Sequence, residues 1–437
     1  MSARETALCA LIACRKENAW SNGILKEYIQ RDRLDRRDAA LAARLCYGVV
    51  QNRQRLDFYL KQLLTGKLKD LHPMVRDILH LGLYQLYFMD KIPQSAAVNE
   101  SVSLARKYCS KQRFAPGLCN GVLRNAVRTL GQLKEPQNLS DRFSHPQKLL
   151  DLLKESVGPQ RLEAMLDANN QAPDTVVQVN TLRTDIQTLT QLLEKEGVGV
   201  KAHGWMPNCL VLSATGDLEK LDTFQKGLFY VQDCAAKLAV LCAQLKPGQK
   251  VLDCCAAPGG KSFAAAMCME GEGQIHSCDI HAHKTLLIEN GAKRLGLSNL
   301  QVHLQDGAKP HPGWEETMDA VICDVPCSGY GIIRKKPDIR YKDPDSMKDL
   351  PQLQLQILRQ QAKYLKPGGL LLYATCTLLR RENEAVVEAF LQEHSDFALE
   401  KLVLPVPFPE NDSGMLMLVP GEYDTDGFFF ARLRRKI

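Results

Sequence analysis

Residues 251–262 read VLDCCAAPGGKS and join a short apolar run to a turn of small residues. The apolar run predicts a buried strand, and Lys261 and Ser262 mark the start of a helix. The small residues between them would let the backbone approach a bound ligand closely. The stretch therefore predicts a strand–turn–helix unit of an α/β sheet, which binds ligands at the carboxyl ends of its strands.

Strand and helix patterns alternate on both sides of this unit, from about residue 234 onward. The strands read GQIHSCDI, QVHLQDG, DAVICDVPCSG and GLLLYATC, and helical patterns such as KSFAAAMCME and HKTLLIENGAKRLG lie between them. This alternation is typical of a parallel, doubly wound sheet. We therefore predict a Rossmann-like α/β domain over residues 234–437.

Residues 1–130 predict an all-α bundle of six or seven helices, because apolar residues recur at spacings of three and four. The most apolar helix covers residues 72–90. The region carries 22 Lys and Arg but 11 Asp and Glu, whereas the net charge of the whole chain is +6. A basic module of this kind suggests a polyanionic partner, although charge alone fits a solvated helical surface equally well.

Two regions separate these domains. Residues 131–172 are polar, contain several prolines and read as a linker, with short helices at about 147–156 and 159–169. Residues 173–233 contain the strand patterns DTVVQVNT, NCLVLSA and GLFYVQD and one helical pattern, DIQTLTQLLEKEG. We predict a small α+β module there.

Several classes of protein are excluded by simple features. The first residues, MSARETALCALIACRKENAW, mix charged with apolar residues and do not resemble a signal peptide. The longest apolar run, at 369–379, is too short to cross a bilayer, so we expect a soluble cytoplasmic protein without membrane association. No two of the 15 cysteines lie three positions apart, which removes the usual zinc half-site, and we expect no metal and mostly buried, reduced thiols.

The turn after the first strand predicts a nucleoside cofactor. A phosphate-binding P-loop would require glycine at Cys255, and no GxGxxG fingerprint is present. Asp279 lies 20 residues after Gly259 at the end of the next strand, where it would bind ribose hydroxyls. Asp306 ends the third strand and would reach an adenine amino group. We predict S-adenosylmethionine, held by these acids, by Asp324 and by the turn residues Cys255, Ala256, Ala257, Pro258, Gly259, Gly260 and Lys261.

Two cysteines follow two other strands of the predicted sheet. CDVPCSG at 323–329 contains Asp324 and Cys327, and YATC at 373–376 ends on Cys376. Both cysteines would lie at the carboxyl edge of the sheet, on the cofactor side. A lone cysteine is usually a core residue, but two at neighbouring strand ends indicate a function.

The motifs DCCAAPGGKS, CDI, QDG, DVPCSGYGIIRKKPDIR and YATCTLLRRENE resemble, in this order, those of the RNA (cytosine-5)-methyltransferases. IPQSAAVNESVSLARKY and NGVLRNAV resemble the NusB-type RNA-binding domain, and residues 174–232 resemble the family's small RNA-contacting module. The resemblance implies methyl transfer from S-adenosylmethionine to carbon 5 of a cytosine in 16S rRNA, of the cytosine-967 type. The expected partner is 16S rRNA or a small-subunit assembly intermediate, and we expect the protein to be a monomer.

The resemblance assigns roles to three residues. Cys376 is the expected nucleophile, and Cys327 is expected to assist proton removal or product release. Asp324 would hydrogen-bond the ring nitrogen and the amino group of the cytosine. Basic residues after the Pro-Cys motif would either hold flanking phosphates or form a solvated loop; they are Arg334, Lys335, Lys336 and Arg340.

Four other interpretations compete with this one. A non-catalytic RNA-binding assembly factor would have lost an acid or a cysteine of the site, yet Asp279, Asp324, Cys327 and Cys376 are all present. An amino-group methyltransferase carries a Pro-Pro-aromatic segment where DVPC stands here. A DNA cytosine methyltransferase would attack with the Pro-Cys cysteine and has a different motif order. A cytosine in another rRNA or in tRNA remains an alternative substrate.

Overall fold

The computed structural model describes residues 1–17 and 20–437. They form two compact units, of which the first comprises Met1–Leu152 and Ile333–Lys342 and the second Leu153–Ile332 and Asp343–Ile437. Within the described ranges no helix combines the length and the apolar character that a membrane span requires.

The first unit is helical. Seven α-helices lie in the described part of residues 1–130, which confirms the predicted all-α bundle. α5 is the central helix: nine of its residues are buried, and it packs against α1, α3, α4, α6 and α7. The helices are α1 (Ala3–Glu17), α2 (Ser21–Arg31), α3 (Arg36–Gln51), α4 (Arg53–Leu63), α5 (Pro73–Phe88), α6 (Gln94–Tyr108), α7 (Ala115–Arg128) and α8 (Leu139–Phe143).

The predicted linker, residues 131–172, contains α8, which was not expected, and α9 (Gln147–Val157) and α10 (Pro159–Ala168), which lie within a residue of the expected bounds. The division between the two units falls inside α9. An antiparallel sheet of four strands follows, in the order β2-β3-β1-β4. Its elements are β1 (Thr175–Val179), α11 (Ile186–Lys195), β2 (Gly199–Ala202), β3 (Cys209–Ser213), α12 (Asp222–Gln225) and β4 (Phe229–Val231).

The rest of the second unit is built on an eight-stranded sheet in the order β10-β12-β9-β8-β5-β6-β7, with β11 also paired to β12. Its strands are β5 (Lys250–Asp253), β6 (Gln274–Asp279), β7 (Leu300–Leu304), β8 (Met318–Asp324), β9 (Leu365–Thr375), β10 (Phe397–Leu399), β11 (Met415–Leu418) and β12 (Phe428–Arg435). Its helices are α13 (Cys234–Cys242), α14 (Gly260–Cys268), α15 (Ala282–Leu295), α16 (Leu350–Ala362) and α17 (Glu384–Glu393).

Five neighbouring strands, from β9 to β7, are parallel, as the alternating pattern predicts. The three C-terminal strands differ, because β12 pairs antiparallel with β9, β10 and β11. Parallel pairing needs a crossover between strands, usually a helix, and residues 394–437, all of them described, contain no α-helix. The sheet is therefore parallel at its centre and antiparallel at one edge.

Both faces of the central strands are buried. Ala320 and Ile322 of β8 pack into one apolar cluster together with residues of α13 and α14. Val321 and Cys323, which alternate with them, pack into a second cluster together with residues of α16 and α17. This two-sided burial explains why these strands read as continuous apolar runs, and it leaves the strand ends as the place for polar groups.

Candidate active site

The predicted site residues meet at one edge of the large sheet. Asp279 is the last residue of β6, Asp324 is the last residue of β8, and Cys376 directly follows β9. In the parallel ladder Asp324 pairs in register with Ala374. Asp306 lies two residues beyond β7. The structure thus brings these four residues to the carboxyl edge, where open α/β sheets bind their ligands.

The turn after β5 has a geometry that requires glycine. Its backbone is held by the amide of Ala256, which donates to the carbonyl of Cys278 at 2.7 Å. Gly259 has φ = +112°, and a Cβ atom there would lie 2.4 Å from the ring of Phe263. α14 begins at the next residue, Gly260. Gly259 and Gly260 thus form a cradle of bare backbone, as the close approach of a ligand needs.

The two acids expected at the cofactor are oriented by neighbouring backbone. One carboxylate oxygen of Asp279 accepts from the amide of His281 at 2.9 Å. One oxygen of Asp306 accepts from the amide of Ala308 at 3.0 Å. Because one oxygen is held in each case, the orientation of each carboxylate is fixed before a ligand arrives. The side chains and the glycine cradle fit a nucleoside cofactor with ribose hydroxyls and an amino group.

Lys261 and Asp324 form an ion pair in this site, with Nζ and Oδ2 2.5 Å apart. Burial alone would lower the pKa of Lys261, but the Asp324 carboxylate raises it above its usual value. The ammonium group also lies 5.0 Å from the ring centroid of Phe428. The sequence placed Lys261 at the cofactor and Asp324 at both cofactor and cytosine, and the contact between their side chains was not predicted.

Cys327 and Cys376 are in direct contact, with their sulfur atoms 3.2 Å apart. Both thiols are free and half-buried, and the separation is well beyond the length of a disulfide. The pKa of Cys327 is raised well above its usual value, first by its hydrogen bond with Cys376 and then by burial. At neutral pH Cys327 therefore keeps its proton and can donate it to the sulfur of Cys376.

The loops that carry the two cysteines are tied to each other. The hydroxyl groups of Ser328 and Thr377, which follow the two cysteines, are 2.7 Å apart. The amide of Gly331 donates to the carbonyl of Cys376 at 2.9 Å. The hydrogen bonds between the two loops thus fix the contact between the sulfur atoms.

Glu382 is a site residue that sequence reasoning missed. It is fully buried, and its Oε2 accepts from the amide of Ser328 at 2.9 Å and from Nε2 of Gln354 at 3.0 Å. Glu382 lies in the motif YATCTLLRRENE, but it does not end a strand, so its position in the sequence did not indicate that it belongs to the site. Its long-range partners become visible only in the fold.

The basic segment after the Pro-Cys motif belongs to the first unit, as part of Ile333–Lys342. Arg340 is fully buried, and its Nη1 donates to the carbonyl groups of Gln51 at 2.9 Å and Phe143 at 3.3 Å. The structure does not support the prediction that Arg340 holds a phosphate, because its guanidinium is engaged by backbone. Burial also lowers its pKa to about 10. Arg334 and Lys335 are half-buried and Lys336 is exposed.

The whole length of the chain matches known proteins. Residues 240–434 match the model of the 16S rRNA methyltransferase RsmB/F, residues 1–128 that of the NusB family, and residues 145–219 that of the RsmF/B-like ferredoxin-like domain. The probable ribosomal RNA small subunit methyltransferase B of Bacillus subtilis is 35% identical over 100% of this chain and 99% of its own length. The chain belongs to the RsmB/F family of 16S rRNA methyltransferases.

A further relative agrees with this family, and a solved structure shares the fold along the whole chain. The ribosomal RNA small subunit methyltransferase B of Vibrio cholerae is 35% identical over 92% of this chain and 90% of its own. The crystal structure of PH0851 has a TM-score of 0.83 and 25% identity, covering 100% of this chain and 99% of its own. RsmB/F membership confirms S-adenosylmethionine as the cofactor and the predicted classes of the three domains: a NusB-like bundle, a small α+β module and a Rossmann-like methyltransferase domain.

Proposed function

We propose that this RsmB/F-family chain methylates carbon 5 of a cytosine in 16S rRNA, at a site of the cytosine-967 type, through a covalent bond between Cys376 and the base. The observation that supports this most strongly is the contact of 3.2 Å between the sulfur atoms of Cys327 and Cys376. Carbon 5 of cytosine is a poor nucleophile and needs activation. A thiolate supplies it, and a second group must then remove a proton.

In the proposed reaction the Cys376 thiolate adds to carbon 6 and leaves an electron pair at carbon 5. Carbon 5 uses this pair to bond the electrophilic methyl group that S-adenosylmethionine supplies. Loss of the proton from carbon 5 restores the ring double bond as the bond from carbon 6 to sulfur breaks. The products are 5-methylcytosine, S-adenosylhomocysteine, a regenerated Cys376 thiolate and the carbon 5 proton, which is taken up by the general base.

The cause of the raised pKa of Cys327 makes this residue suitable for removing the proton from carbon 5. The hydrogen bond and charge of Cys376, together with burial, hold the pKa of Cys327 high in the free enzyme. When the sulfur of Cys376 is bonded to carbon it is neutral and a poorer acceptor. Cys327 can then lose its proton to solvent and, as a thiolate, accept the proton of carbon 5.

The charged pair beside the cysteines has two tasks in this proposal. The Asp324 carboxylate would accept a hydrogen bond from the cytosine amino group. Through a proton shared with the ring nitrogen, it would also hold that nitrogen while carbon 6 is attacked. Lys261 keeps that carboxylate in place across 2.5 Å. Asp279, Asp306 and the turn at Gly259 would hold the ribose, the adenine and the remainder of the cofactor.

The base must leave its stack for a thiol to reach carbon 6, so the substrate is an unpaired or flipped nucleotide. We place the reaction in the cytoplasm, on 16S rRNA or a small-subunit assembly intermediate, with the protein as a monomer. The phosphates of this RNA would be contacted by Arg334, Lys335 and Lys336.

The direct test compares the wild type with Cys376→Ala and Cys327→Ala on 16S rRNA, with methylated cytosines mapped by bisulfite sequencing. We expect Cys376→Ala to lose methylation at one cytosine and Cys327→Ala to lose turnover. Cys268→Ala is the matched control, because Cys268 is a half-buried free thiol at the end of α14. Full turnover by Cys376→Ala, or loss in the control as well, would contradict the proposal.

A further inference from the structure

Glu382 is hydrogen-bonded to the residue after Cys327 and, through Gln354, to the residue before it. Its Oε2 accepts from the amide of Ser328, the residue after Cys327, at 2.9 Å. The same oxygen accepts from Nε2 of Gln354 at 3.0 Å, and this amide also donates to the carbonyl of Pro326, the residue before Cys327, at 3.0 Å. The backbone around the thiol is therefore held by one carboxylate and one carboxamide.

Glu382 is itself anchored to the strand that leads to Cys376. The hydroxyl of Tyr373, a fully buried residue of β9, donates to the carbonyl of Glu382 at 2.6 Å. Cys376 follows Tyr373 by three positions. One buried residue thus connects the loop of Cys327 with the strand of Cys376.

The charge of Glu382 is not cancelled by a cation. Within residues 1–17 and 20–437 the two donors to its carboxylate are a backbone amide and a carboxamide, both neutral. A buried charge acts strongly on its neighbours because little water screens it. The segment that Glu382 binds carries the thiol of Cys327, on which this charge acts.

We propose that Glu382 is a positioning residue that holds Cys327 against Cys376 and keeps the proton on Cys327 until Cys376 has bonded to the base. This role rests on the proposed function and adds a residue to it. Through the peptide of Ser328, Glu382 fixes where the thiol lies; through its charge, it disfavours a thiolate there. Once formed, that thiolate is a stronger base for the proton of carbon 5.

The electrostatics around Cys327 agree with this role. Cys376 and burial are the largest causes of the raised pKa of Cys327, and the charges of Glu382 and Asp324 add to it. The titratable and charged groups that face Cys327 are Cys376, Asp324 with its partner Lys261, Glu382 and Tyr373.

The test measures the thiol without RNA. In a Cys376→Ser background, iodoacetamide alkylation of the peptide that contains Cys327 is followed by mass spectrometry as a function of pH. Glu382→Gln keeps an oxygen that accepts from Ser328 and Gln354 but removes the charge, so we expect the alkylation midpoint to fall by about one pH unit. Glu384→Gln is the matched control, two residues away in the same segment, and should leave the midpoint unchanged.

A second measurement reads the same variants in the wild-type cysteine background. With RNA, Glu382→Gln should still form the Cys376 adduct but should shift the pH profile of turnover to lower pH, whereas Glu384→Gln should not. An alkylation midpoint that is the same in Glu382→Gln and Glu384→Gln overturns the role of Glu382. Because alkylation uses no RNA, that result is separate from a failure of the proposed cytosine chemistry, which would appear as methylation without dependence on Cys376.

Discussion

At the scale of single residues, the buried carboxyl group of Asp253 lies at the point where β5 meets the cofactor turn. The hydroxyl of Ser262 donates to its Oδ2 at 2.8 Å, and the hydroxyl of Ser277 donates to Ser262 at 2.7 Å. Burial raises the pKa of Asp253 to about 7; the bond from Ser262 opposes this rise, and the nearby Asp324 charge adds to it. This acid therefore changes its charge near neutral pH, inside the fold.

The stability of the second unit should depend on the charge of Asp253. The folded protein holds this proton up to about pH 7, whereas the unfolded chain releases it near its ordinary pKa of 3.8. The contribution of Asp253 to stability is thus full below about pH 4 and is lost as the pH rises to about 7. The stability of Asp253→Asn should not fall in this pH range, because the variant has no carboxyl group to ionise. The unfolding free energy of the variant minus that of the wild type should therefore increase by a few kcal/mol between about pH 5 and about pH 8.

Thermal unfolding at the two pH values measures this difference. Asp174→Asn serves as the control, because Asp174 is exposed and its change should add nothing at either pH. An equal difference between Asp253→Asn and the wild type at both pH values would show that Asp253 is ionised throughout.

At the scale of elements, the connection from β5 to α14 depends on the backbone of Gly259. A side chain at φ = +112° is strained, and its Cβ would also meet the Phe263 ring at 2.4 Å. The ring is part of the core beneath the turn, so it has little room to move. The backbone conformation of Gly259 therefore determines the shape of both the turn and the cofactor site.

Gly259→Ala should weaken the binding of S-adenosylmethionine about tenfold or more, since strain of 1–3 kcal/mol is typical of such a backbone. Calorimetric titration of the variant with the cofactor gives the change in affinity. Gly313→Ala is a matched control, because Gly313 also has a positive φ of +80° but no atom lies within 4 Å of its Cβ position. Wild-type affinity in Gly259→Ala would contradict the cradle described for this turn.

The elements also show which features a single sequence reveals. The ends of β6, β8 and β9 were predictable because strands buried on both faces read as apolar runs, and the polar residue after each run marks the edge of the sheet. β2 was missed, since its residues are exposed or half-buried and show no alternation. Glu382 was missed and Arg340 was assigned to a phosphate, because their partners, Ser328 and Gln51, lie far away in the sequence.

At the scale of the whole molecule, the chain does not divide into units in simple sequence order. Ile333–Lys342 comes from the second half of the sequence and is part of the first, helical unit. Besides the bonds of Arg340, the carboxylate of Asp338 accepts from the hydroxyl of Ser21 at 2.5 Å, and the hydroxyl of Tyr341 donates to the carbonyl of Val50 at 2.9 Å. The NusB-like unit is completed by this segment.

Arg340→Met should destabilise the first unit by about 2–4 kcal/mol, because buried carbonyl groups lose their donor. Circular dichroism during thermal unfolding measures the change, since the unit is helical. Lys336→Ala, on the exposed part of the same segment, should keep the unfolding midpoint but weaken RNA binding with a reduced salt dependence. A stable Arg340→Met protein with reduced RNA affinity would restore the phosphate role that the burial of Arg340 argues against.

If Cys376 and not Cys327 forms the bond to cytosine, the bonded cysteine can be identified in a variant that cannot release the base. Cys327→Ala is incubated with 16S rRNA and S-adenosylmethionine, the RNA is digested, and the peptide that carries the remaining nucleotide is sequenced by mass spectrometry. We predict a stable adduct in which a methylated cytosine is attached to Cys376, because the group that removes the carbon 5 proton is missing. Absence of an adduct, or a nucleotide attached to any other cysteine, would contradict the account.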